Sequence, residues 1–381
     1  MQKEAKQYQD QDLTVLHLSA VKKWGGGERH IENLCRELPN VVPKINNIVL
    51  CNSKFRFSKN FYDTKTEIIP ASLSFKMDPR YVAKIINICK KRKVDIVHIH
   101  DSTALTLYIL GTRFASLPPA VFSKKTSFPI RSRKQTLFKY NSPQIKKILC
   151  VSIATARITS ETIEDKNKIR CIYHGTNIKD KATTTPFLLR NKLQLKKEVR
   201  IIGNIANHIW PKNLETFIFV ADELINKQQL KNLHFVQIGE FSTLTPPLLN
   251  LINECKLEKH ITFMGKVENA ANFIPQFDIS LMTSQSEGIP QFIYESFYHK
   301  VPVVSTNVGG ISEVIEHNVN GLLAPAFDVK KLAAHIVSLL NNQQDRENFT
   351  RISRQKLENN FTSAVMAEKT YSEYKKVLNE R

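Results

Sequence analysis

Four stretches of this chain set acidic, basic or imidazole side chains beside glycine or proline, where a backbone turns sharply and a ligand can come close. The first runs from Ser284 through Gln285, Ser286, Glu287, Gly288, Ile289 and Pro290 to Glu295. An apolar run ends there in a polar turn and Pro290 opens a helical pattern, so Glu287 falls in the loop and Glu295 in the first turns of the helix. A carboxylate accepts hydrogen bonds from two hydroxyls at once, which suits the vicinal diols of a sugar. Two carboxylates at this separation suit two sugar rings, or a sugar and a ribose. Acids that merely complement a helix N-terminus are the plain alternative.

The second stretch, Gly203 to Asn213 (GNIANHIWPKN), follows an apolar run. Pro211 suits the first turn of a helix. Lys212 beside it meets the positive end of the helix dipole, an unfavourable placement unless the ammonium serves an anion such as a phosphate. The third is Gly25-Gly26-Gly27-Glu28. Three glycines let a backbone approach a ligand and free its N–H groups, and a helix N-terminus behind them favours an anion. A plain tight turn reads equally well, and the G-x-G-x-x-G dinucleotide fingerprint is absent. The fourth is His98-Ile99-His100-Asp101. On a strand, residues two apart share a face. His100 ends the strand, where it can reach a ligand, and His98 reads as a core histidine. No further Cys, His or carboxylate lies at ligand spacing, so no metal site is expected. Val308-Gly309-Gly310-Ile311-Ser312-Glu313 adds another glycine turn into a helix.

Alternating strands and helices must position these loops. Apolar runs at 13–20, 45–51, 67–70, 95–100, 148–151 and 169–173 read as strands, with helical spacing over 31–38 and 79–93. Residues 179–198 are polar without clear periodicity and read as a linker. The alternation restarts with strands at 200–206, 234–239, 261–264, 278–283 and 302–305, and helices at 214–225, 291–298 and 329–340. The expected organisation is a first domain over 1–178, the linker, a second domain over 199–360, and a C-terminal helix over 361–381 packing back toward the first domain. Alternation of this kind means an α/β fold with parallel sheets covered by helices. In such sheets ligands sit beyond the C-terminal ends of the strands, where all four stretches fall.

Composition narrows the class. The 381 residues are 42% hydrophobic and 24% charged, which is ordinary for a globular protein and excludes collagen, coiled coil and wholesale disorder. The opening MQKEAKQYQDQD is polar and unlike a signal peptide. No run approaches the roughly 18 apolar residues of a membrane span. The six cysteines are scattered without a C-x-x-C pair, as buried reduced thiols of a cytoplasmic protein would be. The charge is unusual. Residues 1–180 hold 32 basic and 15 acidic side chains, net +17, while the remainder is net +3. From Ser102 to Ser160 there is no acid and there are ten Lys or Arg. Such a surface points to an anionic partner. Arg131, Arg133 and Lys134, near Phe128 and Phe138, have the makeup of an interfacial membrane patch.

Together these motifs resemble the retaining glycosyltransferases of glycosyltransferase family 4. The likeness spans nearly the whole chain and is densest in SEGIPQFIYES and VPVVSTNVGGISEVIEHNVNGLL. It implies the GT-B fold, two Rossmann-like domains facing across a cleft. It implies that Glu287 contacts donor sugar hydroxyls and Glu295 the nucleotide ribose, that the amides at Gly288, Ile289 and Pro290 approach the sugar, and that Lys212 binds the donor pyrophosphate. Gly26 and Gly27 then lie near the donor phosphate and acceptor, and His100 beside the transferred sugar. Asn204 stands where family members often carry a pyrophosphate-binding arginine, with His208 or Asn207 available to compensate. The turn usually written Pro-Asn-Gly is Tyr173-His174-Gly175-Thr176 here.

The resemblance implies transfer of a sugar, with retention, from a nucleotide sugar to a lipid-linked saccharide in cell-surface polysaccharide or lipopolysaccharide synthesis. UDP is favoured over GDP as the commoner donor carrier. No metal or other cofactor is expected, because the one D-x-D sequence, Asp10-Gln11-Asp12, precedes the first strand. The protein is expected in the cytoplasm, held peripherally on the inner face of the membrane. Three other readings stay open: an epimerase or phosphorylase on the same architecture, an inactive homologue, and a nucleic-acid-binding protein using the basic half. The last lacks any recognised nucleic-acid motif, so nucleic acid is not an expected partner.

Overall fold

The structure, a computed structural model, describes residues 12–21, 25–53, 65–126, 128–178, 185 and 187–380. It divides into two compact units, residues 1–177 with 361–381, and residues 178–360.

The first unit is built on seven strands: β1 (Leu13–Leu18), β2 (Ile45–Asn52), β3 (Thr66–Ala71), β4 (Ile96–Ile99), β5 (Ala120–Lys124), β6 (Ile145–Cys150) and β7 (Ile169–Cys171). They form one parallel sheet in the order β3-β2-β1-β4-β5-β6-β7. Its helices are α1 (Gly26–Val41), α2 (Pro79–Lys91), α3 (Ser102–Gly111), α4 (Lys134–Tyr140), α5 (Ile153–Ser160) and, from the far end of the chain, α13 (Ser363–Asn379). Parallel strands need crossover helices on both faces, so their side chains are buried on both sides. β1 shows this directly: Leu13 and Val15 pack with Leu34 and Leu38 of α1 and Met366, Tyr374 and Val377 of α13. Leu16 and Leu18 pack the other way, with Tyr81 and Ile85 of α2 and Leu105 and Tyr108 of α3.

Local chemistry fixes the helix starts. Asp78 caps α2 by accepting from the Arg80 amide at 3.1 Å, with Pro79 in the first turn. Asp101 caps α3 through the amides of Thr103 and Ala104, both at 2.9 Å, and its other oxygen accepts from the Ala20 amide at 2.7 Å. One carboxylate thus ties the end of β4 to the end of β1. The chain returns to this unit at Phe361: the Thr176 amide donates to the Phe361 carbonyl at 2.9 Å and the Ser363 amide to the Thr176 carbonyl at 3.0 Å. A Cβ at Gly175 would lie 2.3 Å from the Thr362 carbonyl oxygen, so only glycine admits this approach.

The second unit carries β8 (Arg200–Ile205), β9 (Leu233–Ile238), β10 (Ile261–Phe263), β11 (Ile279–Met282), β12 (Val303–Thr306) and β13 (Leu322–Ala324), parallel in the order β10-β9-β8-β11-β12-β13. Its helices are α6 (Leu189–Lys192), α7 (Leu214–Asp222), α8 (Thr245–Glu254), α9 (Gln291–Tyr298), α10 (Ile311–Val314), α11 (Val329–Asn341) and α12 (Gln343–Asn360).

One expectation needs correction. Residues 179–184 and 186 lie outside the described residues, but the rest of the expected linker is part of the second unit. Leu189 is fully buried, its amide donates to Gln276 Oε1 at 2.7 Å, and Phe187, Leu193 and Leu195 pack beside it against Phe273 and Ile274. The polar composition of 179–198 hid a four-residue repeat of leucine at 189 and 193. β5 and β13 also escaped the sequence reading. Each is a short buried run with no alternation to mark it.

Candidate active site

Lys212 and Glu287, seventy-five positions apart, meet in the second unit. Lys212 Nζ lies 2.5 Å from Glu287 Oε1, and Ser284 Oγ donates to the same oxygen at 2.7 Å. β8 and β11 are neighbouring strands, so the loops that follow them emerge side by side at the C-terminal edge of the sheet. Lys212 closes a single 3₁₀ turn, Trp210–Lys212, and Asn213 in the left-handed region then begins α7. The two loops are stitched together. Thr283 Oγ1 donates to the Asn213 carbonyl at 3.1 Å, the Gln285 amide to the Pro211 carbonyl at 2.9 Å, and Gln285 Nε2 to the Trp210 carbonyl at 2.9 Å. A third loop, after β12, supports the second from behind. Gly309 has φ +56, and a Cβ there would lie 1.9 Å from the Glu287 carbonyl oxygen, while the Gly310 amide donates to the Gly288 carbonyl at 2.9 Å.

The remaining donor-side residues divide by what they expose. Gly288 is half-buried, while Ile289, Pro290 and Glu295 are buried. The Asn204 side chain is engaged within the unit. Asn204 is a residue of β8, and its Nδ2 donates to the Leu281 carbonyl at 2.8 Å. The His208 ring is engaged on both nitrogens. Nε2 is 2.8 Å from Gln237 Oε1 and Nδ1 is 2.8 Å from Thr245 Oγ1, and burial lowers its pKa. Asn207 Oδ1 accepts from the Glu240 amide at 2.9 Å. Lys212 is therefore the cation of these two loops.

The first unit holds a different kind of site. His17 of β1 and His98 of β4 are register partners, and His98 and His100 are two residues apart, so all three imidazoles lie on the face covered by α1 and α13. His17 Nδ1 is 3.0 Å from His100 Nε2 and His17 Nε2 is 3.3 Å from Asn47 Oδ1. His98 Nδ1 is 2.5 Å from the Tyr374 hydroxyl and Nε2 is 2.8 Å from Ser123 Oγ. His30 of α1 approaches edge-on, its ring 6.0 Å from that of His100. Burial is the main cause that holds all four below the usual imidazole pKa, His17 at about 4.

No third ligand stands at metal-binding spacing to His98 and His100 in the sequence, but the fold brings His17 to them. One nitrogen each of His17, His98 and His100 lies within 4.8 Å of the others, close enough to share a cation. In this arrangement the rings instead hydrogen-bond to one another and to Asn47, Tyr374 and Ser123. His17, His30 and Tyr374 carry no motif. The one available signal was that His17 interrupts an apolar strand in phase with Leu13 and Val15.

Lys125 lies under the glycine loop. Its Nζ donates to the Gly27 carbonyl at 2.8 Å, and burial pushes its pKa down to about 8 against the opposing charges of Glu28 and Asp101. A Cβ at Gly26 would meet nothing among the described residues. Of the D-x-D sequence, Asp10 and Gln11 lie outside the described residues and Asp12 is exposed. Arg131, Arg133 and Lys134 are exposed, as are Phe128, Phe138 and Phe114, and the Arg113 guanidinium sits over the Phe138 ring at 5.7 Å. No helix among the described residues is long and apolar enough to cross a membrane.

Comparison with known proteins places this geometry. Residues 24–180 match the family described as Glycosyltransferase Family 4, and residues 196–342 the one described as Glycosyl transferases group 1. The chain is 24% identical over 312 residues to the N-acetyl-alpha-D-glucosaminyl L-malate synthase of Bacillus anthracis, covering 79% of this chain and 78% of that one. It is 22% identical over 287 residues to the UDP-Gal:alpha-D-GlcNAc-diphosphoundecaprenol alpha-1,3-galactosyltransferase of Escherichia coli, covering 71% and 73%. Among solved structures, HepE from Anabaena in complex with UDP and glucose aligns with a TM-score of 0.82 at 17% identity, over 96% of this chain and all of that one. Two parallel α/β units, each matched in chain order by a glycosyltransferase model, leave one assignment: the chain belongs to glycosyltransferase family 4 and is a glycosyltransferase of the GT-B fold.

Proposed function

We propose that the protein transfers a sugar, with retention of anomeric configuration, from a UDP-sugar to a lipid-linked saccharide in the synthesis of bacterial cell-surface polysaccharide, lipopolysaccharide included. The observation that carries the donor side is the meeting of Lys212 and Glu287 at the C-terminal edge of the second sheet. On donor binding the Lys212 ammonium exchanges the Glu287 carboxylate for the diphosphate, and the freed carboxylate takes the sugar hydroxyls. The bond from the anomeric carbon to the diphosphate oxygen breaks. A bond from that carbon to the acceptor oxygen forms on the same face, and the acceptor proton passes to the departing diphosphate. Lys212 and the N-terminal amides of α7 stabilise the charge that develops on the leaving group, and this asks for no metal. Glu295 serves the ribose, Gly26 and Gly27 the phosphate and acceptor side, and His100 faces the transferred sugar. UDP is bound by HepE, and a diphosphoundecaprenol-linked sugar is the acceptor in the name of the Escherichia coli relative.

The acceptor and the membrane surface are assigned to the first unit, where the charge is concentrated. Exposed phenylalanines among Arg113, Arg131, Arg133 and Lys134 suit the headgroup region of an anionic leaflet on the cytoplasmic side. The deciding experiment is a thermal-shift panel of UDP, GDP, ADP and CMP with their sugars in EDTA. Binding at a hundredfold excess over Kd adds about 2.7 kcal/mol to native-state stability. A shift with UDP and UDP-sugars, followed by turnover in EDTA, is the expected result. Turnover lost in EDTA and restored by a divalent ion overturns metal independence. No shift with any nucleotide moves the chain to the inactive homologues.

A further inference from the structure

We propose that His17 is a positioning residue: it holds the ring proton of His100 on Nε2, and so makes His100 Nδ1 a fixed hydrogen-bond acceptor for a hydroxyl of the substrate. The inference rests on the reading of His100 as the residue facing the transferred sugar. It follows from one chain of hydrogen bonds inside the first unit. Asn47 Nδ2 donates to the Cys35 carbonyl at 3.4 Å, which orients the amide with Oδ1 toward His17 Nε2 at 3.3 Å. A carboxamide oxygen only accepts, so His17 Nε2 carries that ring's proton. A neutral imidazole has a single N–H, which leaves a lone pair on His17 Nδ1. That atom is 3.0 Å from His100 Nε2, which must therefore donate. By the same count His100 Nδ1 carries a lone pair.

His100 Nδ1 is buried and has no hydrogen-bond partner among the described residues. Native proteins rarely leave a buried polar atom unpaired, and a catalytic role is one recognised reason. His30 supplies no partner, since its own Nδ1 is equally buried and unpaired. His30 rides on the first turns of α1, the helix that Gly26 and Gly27 begin and where a Cβ at Gly26 would meet nothing among the described residues. The proposal has the substrate hydroxyl reach His100 Nδ1 on displacement of that first turn, which carries His30 against the His100 ring. A nitrogen without a proton cannot donate to a phosphate or carboxylate oxygen, so its partner is an O–H or N–H donor, here assigned to a sugar hydroxyl. The acceptor edge therefore selects the sugar end of the substrate against its anionic end.

The test has a spectroscopic and a kinetic arm. In protein labelled with ¹⁵N-histidine, with His100 assigned by loss of its signals in His100→Gln, the expected wild-type ring has an unprotonated Nδ1 and a protonated Nε2. His17→Leu removes the acceptor that enforces this. It is expected to abolish the tautomer preference and lower kcat/KM by about tenfold or more. His17→Asn puts a carboxamide oxygen where Nδ1 stood, and is expected to keep the tautomer and hold kcat/KM within about threefold. A role confined to packing would lower Tm in both variants and leave the tautomer alone. A protonated Nδ1 in the wild type overturns the proposal, as does a His17→Leu protein with unchanged tautomer and kcat/KM. If His17→Leu does not fold, the wild-type spectrum and His17→Asn decide. If no nucleotide sugar is turned over, the functional reading fails while the spectrum still decides the tautomer.

Discussion

The two units handle buried polarity in opposite ways. In the second, opposite charges meet at a loop edge, Lys212 against Glu287, with their side chains 20% and 10% exposed. In the first, four imidazoles whose pKa values burial holds low are packed between a sheet and two helices, with the Lys125 ammonium acting on all four. An ion pair at an edge is ready to exchange one partner for a charged ligand. A layer of neutral rings cannot bind an anion strongly, but its hydrogen-bond directions are fixed by its neighbours. Under the proposed function, the contrast fits a donor side that stabilises a leaving diphosphate and a sugar side that orients hydroxyls.

The largest expected effect breaks the charged half. Glu287→Ala and Lys212→Ala should each lower kcat/KM at least about a thousandfold while circular dichroism and Tm stay near wild type. Rates near wild type in either variant would remove the pair from the reaction. Gly309→Ala attacks the same loop through its support. The new Cβ would collide with the Glu287 carbonyl in a left-handed backbone, so a stability loss of about 2–3 kcal/mol in urea titration and loss of turnover are expected.

Acid sharpens the comparison from the other side. In the unfolded chain His17 protonates near 6.5, but in the folded chain only near 4. Between those values the unfolded state binds more protons. Stability is therefore complete above 6.5 and drains as the pH falls toward 4, by about 3 kcal/mol for His17 alone. His30, His98 and His100 act in the same direction. Hydrogen exchange at pH 5 and pH 7 should show β1, β4 and α13 losing protection first, although His234 of the second unit is also lowered to about 4. Equal loss in both units would refute the idea that the imidazole layer governs acid sensitivity. The smallest effect per residue belongs to the surface. Replacing Arg131, Arg133 and Lys134 by Gln should weaken binding to anionic vesicles by about 1 kcal/mol per cation, and salt should do the same. Binding that ignores both would sever the basic surface from the membrane.

The second unit's site was legible because its chemistry is local. Glu287, Gly288 and Pro290 are neighbours in the chain, and a strand ending in glycine and proline announces a loop whatever surrounds it. The direction of Asn204 was not legible, because position in a motif does not say which way a strand residue points. Its amide is turned to Leu281 by the pleat of β8. In the first unit His98 and His100 were visible as a pair, but their partners come from β1, β2, α1, β5 and α13. No spacing rule joins His98 to Tyr374 across 276 positions.

Alternating apolar runs, the acid-free basic stretch and the motif from Ser284 to Glu295 were enough, from sequence alone, to imply two parallel α/β units, a concentrated positive surface and a sugar-binding loop. These are consequences of composition and of periods two and 3.6, which act over a few residues. The return of the last helix to the first unit was also expected from sequence; tertiary structure alone decided that residues 187–198 pack into the second unit and that His17 lies against His100. Each depends on which distant surfaces exclude water together. Burial and hydrogen-bond direction are properties of the assembled layers and are not encoded in any single stretch of chain.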